Sequence, residues 1–426
     1  MSQKKKILFI SDHPLSTSGV GCQARYLIEG LLRTGKYEFR CLGAAIKHGD
    51  YRIVNVPPHP NDPNKWNMGD WLIRPIDGFG DVNLMRLLLA QEKPDAVFLF
   101  TDPRFFMHYF NIEDEIHQVC PIVWWAVWDN DPYPAYNKAI YDSVDLMNCH
   151  SHKTYELYSE HYPEITNFIP HAVPKEIFNK LEDSQIAQAK EKVLGKDKKD
   201  DFVVTWINRN AKRKMPGDVV ASWAIFCNML EKEYGHRNAT LLMHTDPMDQ
   251  EGPNLYKIVE HFGLERNVTF STDRIDFGQM NTLHNIGDAY LTISCNEGFG
   301  LGTLEAMMTA TPIIALKTGG MIRQVVDHRD GSENGIALEP EVRDLVGSQL
   351  VPYIYEDHIS NETVAKALMK MYEMGHEKRK ELGKKAQDYA HYEFAIEDTV
   401  REWDETLWET IETWKDKRKM WTCQEL

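Results

Sequence analysis

No cysteine pair with metal-ligand spacing occurs in this 426-residue chain. Its seven cysteines (Cys22, Cys41, Cys120, Cys149, Cys227, Cys295 and Cys423) are odd in number and include no CxxC. That argues against a structural zinc site and against a disulfide framework. They are expected as reduced, small core residues, as in a cytoplasmic protein. Long apolar runs are also missing. The longest, Ile122 to Trp128, has seven residues, where a membrane-spanning helix needs about 20. Lys4-Lys5-Lys6 before Ile7 to Ile10 has the outline of a signal peptide, but Ser11-Asp12-His13-Pro14 ends it too soon. Positive charge is in deficit: 64 acids stand against 48 Lys and Arg, for a net charge of −16. That disfavours a protein whose main work is gripping duplex nucleic acid. A full GxGxxG, internal repeats and low-complexity linkers are absent too.

What remains is an ordinary globular composition, 42% hydrophobic and 26% charged, with length for two or three domains. Lys6 to Ser11 reads as a buried strand. Ser18-Gly19-Val20-Gly21 follows, and then Val20, Ala24, Leu27, Ile28 and Leu31 recur at helical spacing. Strand, glycine loop and helix open a doubly wound α/β domain. Further strands are expected at 39–42, 96–100, 121–128 and 146–150, with a last one at 168–174 leaving the domain near residue 175. Tyr51 to Gly80, with Pro57, Pro58, Pro60, Pro63 and Pro75, reads as an irregular surface insertion. A second α/β series begins at Phe202 to Ile207, continues through strands at 240–243, 268–270, 289–293 and 313–316, and gives way to helices beyond Gly347. Two α/β halves imply a cleft between them, a common place for small ligands.

The most informative stretch is Ser294 to Gly320. Glu297 is followed by Gly298, Phe299, Gly300 and Gly302, and Glu305 lies eight positions after Glu297. Glycines before a helix bare its first amides, where a phosphate can be held. Two carboxylates around such a loop can hold sugar hydroxyls. Earlier, the strand ending at Ile207 leads into a basic loop, Asn208-Arg209-Asn210-Ala211-Lys212-Arg213-Lys214. Lys212 and Arg213 read as solvated surface or, failing that, as cations that could face a phosphate-bearing acceptor. At the end of the first domain's aromatic strand, Trp128 and Tyr133 form a candidate platform for a sugar or base. Asp129-Asn130-Asp131 has the DxD form of some metal sites, which an acidic chain produces easily by chance, and no metal is expected.

Glu297 to Met307 resembles the EX7E motif of retaining GT-B glycosyltransferases of the family-4 type. Asn208-Arg209 with Lys214 resembles that family's "GR…K" pair, and Ser18 to Gly21 its N-terminal glycine loop. Ile169 to Pro174 and Ser332 to Pro340 resemble its "IPNGVD" and "ENGLLVEP" segments. The resemblance implies an α/β chain of GT-B architecture. A first Rossmann-like domain (1–175) would face the acceptor, a second (176–395) would hold the nucleotide sugar, and a final helix (about 396–426) would return to the first. Arg209 and Lys214 would bind the donor diphosphate, and Glu297 the sugar hydroxyls. Gly298, Phe299 and Gly300 would offer amides, Thr303 and Leu304 would lie along the diphosphate or ribose, and Glu305 would bind the ribose diol. Gly19, Gly21 and Arg274 complete the expected donor set. The donor would be a UDP- or GDP-sugar, with no other cofactor.

Three departures bear on the acceptor. Trp128-Asp129 stands where the family often has His-Asp, so Asp129 is a candidate for a catalytic polar role. Arg323 replaces the acid of "GGIPE", and Asn208 replaces the glycine before Arg209. Asp12, His13, Trp128, Asp129 and Tyr133 are the candidate acceptor contacts. The expected acceptor is a glycan or lipid-linked sugar. A hydroxymethylated DNA base is a competitor, because the aromatic strand end could stack a flipped base. A sugar-nucleotide epimerase or phosphorylase, or a non-catalytic sugar-nucleotide-binding module, are the other classes the pattern admits.

Overall fold

The computed structural model describes residues 4–60, 62 and 65–418. Pro63, Cys423 and the end of the anticipated final helix lie outside the described residues. The chain forms two compact units. One comprises the chain through Trp128, Tyr133–Ala172 and the residues from Ile396 on. The other comprises Asp129–Pro132 and Val173–Ala395.

The first unit is built on β1 (Lys5–Asp12), β2 (Tyr37–Ala44), β3 (Val54–Asn55), β4 (Trp71–Pro75), β5 (Ala96–Phe100), β6 (Ile122–Ala126), β7 (Leu146–Cys149) and β8 (Thr166–Phe168). Their order is β3-β4-β2-β1-β5-β6-β7-β8. All neighbours are parallel except β3 and β4. The central strands are apolar and buried throughout, as a sheet covered on both faces requires. Helix α1 (Gly19–Arg33) follows β1, with Ser18 capping it by accepting from the Gly21 amide.

Two expectations need correction here. The proline-rich insertion is not wholly irregular: it contains β4, which pairs in parallel with β2 and buries Trp71, while Trp66 is 5% exposed and packs edge-on against Trp71. Alternation of buried and half-buried residues along β4 gave a weak signal between so many prolines. The strand leaving the domain is confined to Thr166–Phe168, and residues 169–174 are not strand. The C-terminal helix Ile396–Lys417 joins this unit's core: Trp403 stacks on Phe98 at 4.7 Å, with Leu407 and Ile411 in the same cluster.

The second unit's sheet comprises β9 (Phe202–Ile207), β10 (Ala239–His244), β11 (Val268–Ser271), β12 (Ala289–Thr292), β13 (Ile313–Leu316) and β14 (Gly335–Leu338). It is parallel in the order β11-β10-β9-β12-β13-β14. The order reverses direction between β9 and β12, the doubly wound pattern with its ligand-binding crevice at that point. Helix Pro216–Tyr234 has Pro at its first position and Gly235 at φ 72° just past its end, favourable residues at both termini. Beyond Gly347 the chain is not helical at once. Strand β16 (Ile354–His358) comes first, pairing back on β15 (Val342–Val346) as a hairpin around Gly347. Among the described residues no helix is long and apolar enough to cross a membrane. Cys41, Cys120, Cys149, Cys227 and Cys295 are buried, Cys22 is half-buried, and none of these six is in a disulfide.

Candidate functional site

Ile207 ends β9 and Thr292 ends β12, and the two strands are neighbours in register (Val204 beside Ala289). The loops that leave them, 208–215 and 293–300, therefore flank the switch point. The first loop is held on two sides. Its early part is stitched toward the loop after β10. Arg209 donates to both Asp249 oxygens at 2.7 and 3.1 Å, Asn210 Nδ2 donates to the Pro253 carbonyl at 2.9 Å, and the Lys212 amide donates to the Glu251 carbonyl at 3.1 Å. Its late part is stitched toward the loop after β12. The Cys295 amide donates to the Arg213 carbonyl at 2.9 Å, and Arg213 Nη1 donates to the Asn296 carbonyl at 3.2 Å and to Glu297 Oε2 at 3.3 Å. Lys214 Nζ donates to the same Glu297 oxygen. Asn208 Nδ2 donates to Tyr290 Oη at 3.2 Å, and that hydroxyl donates to the Ile207 carbonyl at 3.3 Å. This explains locally why a side chain replaces glycine at 208.

The expectation for Arg213 is thus corrected. Lys214 and Glu297 come together as anticipated. Arg209 is exposed and turned to Asp249. Arg213, read from sequence as solvated surface, is the guanidinium at Glu297, and its side chain is 42% exposed. Burial would raise the Glu297 pKa, but the charges and hydrogen bonds of Lys214 and Arg213 outweigh it and hold the carboxyl down at about 2. The Glu297 charge in turn raises Arg213. Asp129, which belongs to this unit, adds its charge near both cations.

The glycines fit because neighbours leave no room. Gly300 has φ 91° at the start of helix Leu301–Met308, and a Cβ at Gly302 would overlap Tyr290 Oη. Cβ atoms at Gly319 and Gly320 would overlap the carbonyl oxygens of Asp129, Glu297 and Gly298. The Gly320 amide donates to the Glu297 carbonyl at 2.9 Å. Phe299 turns inward, 4% exposed, against Phe394, and its carbonyl accepts from Gln324. The Thr303 and Leu304 side chains are buried, and both amides return to the Gly300 carbonyl. At the far side of this helix, Glu305 accepts from Nε2–H of the fully buried His284 at 3.1 Å, which fixes the carboxylate's orientation. Arg274 is exposed after β11, the edge strand two positions from β9. His244, at the end of β10, donates to or accepts from Ser271 Oγ at 3.0 Å. Arg323 donates to Glu393 at 2.5 Å.

The remaining candidates fall as follows. Asn130 donates to Thr318 Oγ1, the Tyr355 carbonyl and Asp357, and Asp131 accepts from Arg343. The middle and last residues of the DxD sequence thus anchor the segment to the β15–β16 hairpin. In the first unit, Asp12 accepts from Ser18 Oγ at 2.6 Å, and burial raises its pKa. His13 is buried beside His48 and Gly43, its Nδ1 accepting from the Leu15 amide, and burial lowers its pKa. Gly19 is exposed, and Gly21 packs on the His13 carbonyl. Trp128 is 5% exposed against Tyr136, and Tyr133 packs on Tyr141, Tyr158 and His161. His150 and His171 are buried together at the ends of β7 and β8.

Residues 189–348 match the family model for glycosyl transferases group 1. The chain is 32% identical over 77 residues to a D-inositol 3-phosphate glycosyltransferase of Corynebacterium urealyticum, covering 18% of each protein. It is 37% identical over 87 residues to the alpha-1,3/1,6-mannosyltransferase ALG2 of Mus musculus, covering 20% of each. It thus spans about a fifth of the length of these curated relatives. Its fold is similar to that of Anabaena HepE in complex with UDP and glucose. The TM-score is 0.69 at 16% identity, over 95% of this chain and all of that one. By fold the chain is a GT-B protein, and the stretch that matches the glycosyl transferases group 1 model, residues 189–348, contains both loops of the cluster.

Proposed function

We propose that the protein is a retaining, metal-independent glycosyltransferase of the cytoplasm. It takes a UDP- or GDP-sugar and delivers the sugar to a hydroxyl of a glycan or lipid-linked sugar. The observation that carries this reading is the ionised Glu297 held against two cations, Lys214 and Arg213, at the switch point between β9 and β12. A carboxylate kept charged there can accept hydrogen bonds from sugar hydroxyls. The cations beside it can receive the charge that a departing diphosphate gathers, without a metal. Glu305, oriented by His284, would accept from the ribose diol in this reading. In the step itself, the bond from the anomeric carbon to the diphosphate oxygen breaks. The acceptor oxygen bonds that carbon on the same face, and its proton passes to the departing phosphate. In HepE a nucleotide and a sugar are bound on the same fold, which supports placing the donor here.

A panel of UDP- and GDP-sugars, with mass detection of bound nucleotide followed by an acceptor screen, tests the proposal. Expected are nucleoside diphosphate release, a product with the donor's anomeric configuration by NMR, and a rate unchanged by EDTA. Lys214→Ala should slow turnover about 100-fold or more. The reading fails if no nucleotide binds, or if Lys214→Ala and Glu297→Gln both leave binding and turnover intact.

A further inference from the structure

We propose that Arg213, rather than Arg209, is the guanidinium that works beside Lys214 on the leaving diphosphate, and that Arg209 lies outside that contact, turned to the β10 side of the loop. This rests on the functional reading above. The two arginines share one loop, and the family spacing selects Arg209. Sequence offset does not decide which way a loop side chain points; the main-chain anchors do. Asn210, next to Arg209, is fully buried, and a Cβ at Gly252 would overlap it. With the Lys212 amide on the Glu251 carbonyl, residues 209–212 are fixed on the β10 side. The switch point lies on the other flank of β9, toward β12. Arg213 is turned that way because its own carbonyl accepts from Cys295, three residues past the end of β12.

The Arg209–Asp249 pair is exposed, and such a pair alone contributes little stability. The backbone anchors, not that pair, therefore set the direction of Arg209. Both hydrogen bonds of Arg213 use Nη1. Nε and Nη2 of the same planar fork remain to address a phosphate. Glu297 accepts from Arg213 and Lys214 on one oxygen, so the two cations lie at hydrogen-bonding range of a single point. Paired cations at one point suit a ligand that carries more than one negative charge, as a terminal β-phosphate does.

The test titrates UDP, UMP, GDP and GMP calorimetrically into wild type, Arg213→Ala, Arg213→Lys and Arg209→Ala, with thermal midpoints checking that each is folded. Arg213→Ala should weaken the nucleoside diphosphate about 10- to 100-fold, the size of a lost charge-assisted bond. It should leave the monophosphate within about threefold, so the diphosphate preference collapses. Arg213→Lys, which keeps the charge, should restore part of that preference. Arg209→Ala should leave the diphosphate preference intact and change either affinity by less than about threefold, as loss of an exposed pair would. The proposal is overturned if Arg209→Ala collapses the preference while Arg213→Ala keeps it, or if Arg213→Ala weakens both ligands equally. Wild type binding neither UDP nor GDP, or Lys214→Ala and Glu297→Gln leaving binding intact, would instead overturn the functional reading itself. Loss of binding in Lys214→Ala with full diphosphate preference in Arg213→Ala would sink this inference alone.

Discussion

Glu297 and Lys214 each have side chains 12% exposed, and each is the other's nearest countercharge. Two charges taken from water repay their desolvation only while both are present, and removing one strands the other. Glu297→Ala is therefore expected to destabilise the second unit by about 3–5 kcal/mol, read from urea unfolding. Glu297→Ala with Lys214→Ala together should cost less than the sum of the two. The pH dependence has a definite sign. The folded carboxyl titrates at about 2, below its ordinary 4.5. Between those values the unfolded chain binds the extra proton. The carboxylate's contribution is thus complete above about 4.5 and is lost as pH falls through about 2. The wild-type unfolding midpoint should drop across that window, and Glu297→Gln should show a shallower drop. Of this cluster, Glu297 and Lys214 were legible in the sequence because they stand at the offsets of the family motifs that the chain resembles. Arg213 was not, because its role depends on a main-chain bond from Cys295, over eighty residues away in the chain.

The same contrast holds for whole elements. Strands β5, β6, β9 and β13 are buried runs of apolar residues and announce themselves. The hairpin β15–β16 does not. Four of the five residues of β15 are exposed, and its fixing contacts come from Asn130 and Asp131, about two hundred residues earlier. Glycine loops lie between these cases. Gly319-Gly320 is plain in the sequence, but its reason is the backbone of 297–298 pressed against it. Gly320→Ala puts a methyl group on the Gly298 carbonyl, and neighbouring backbone cannot yield as a flexible side chain would. An overpacking cost of about 1–3 kcal/mol is expected, measured by urea unfolding. Because the displaced loop carries Glu297, nucleotide affinity should fall as well. A variant that keeps both stability and affinity would show that the loop moves freely and that its glycines are not required by packing.

The first unit takes its core from both ends of the chain. Trp403 and Leu407 are fully buried in the cluster that contains Phe9, Phe98 and Trp125, with Ile411 at its edge. Truncating a buried Trp alone costs about 3–5 kcal/mol, against a whole-domain stability of about 5–15 kcal/mol. Deleting residues 396–426 removes all three side chains at once and should unfold this unit. The second unit has a separate core, drawn from residues 202–374 with partial burial at Leu382. The proposed donor residues Arg213, Lys214, Glu297 and Glu305 all belong to it. Calorimetry of the deletion variant should therefore lose one transition and retain the other. A ligand that binds only the folded form raises that form's unfolding temperature. UDP or GDP, whichever binds wild type, should then still raise the surviving transition, while transfer to an acceptor disappears with the first unit. Two persisting transitions would mean that the C-terminal helix is dispensable to the core it enters. A surviving transition that no longer responds to nucleotide would mean that donor binding draws on residues outside the second unit.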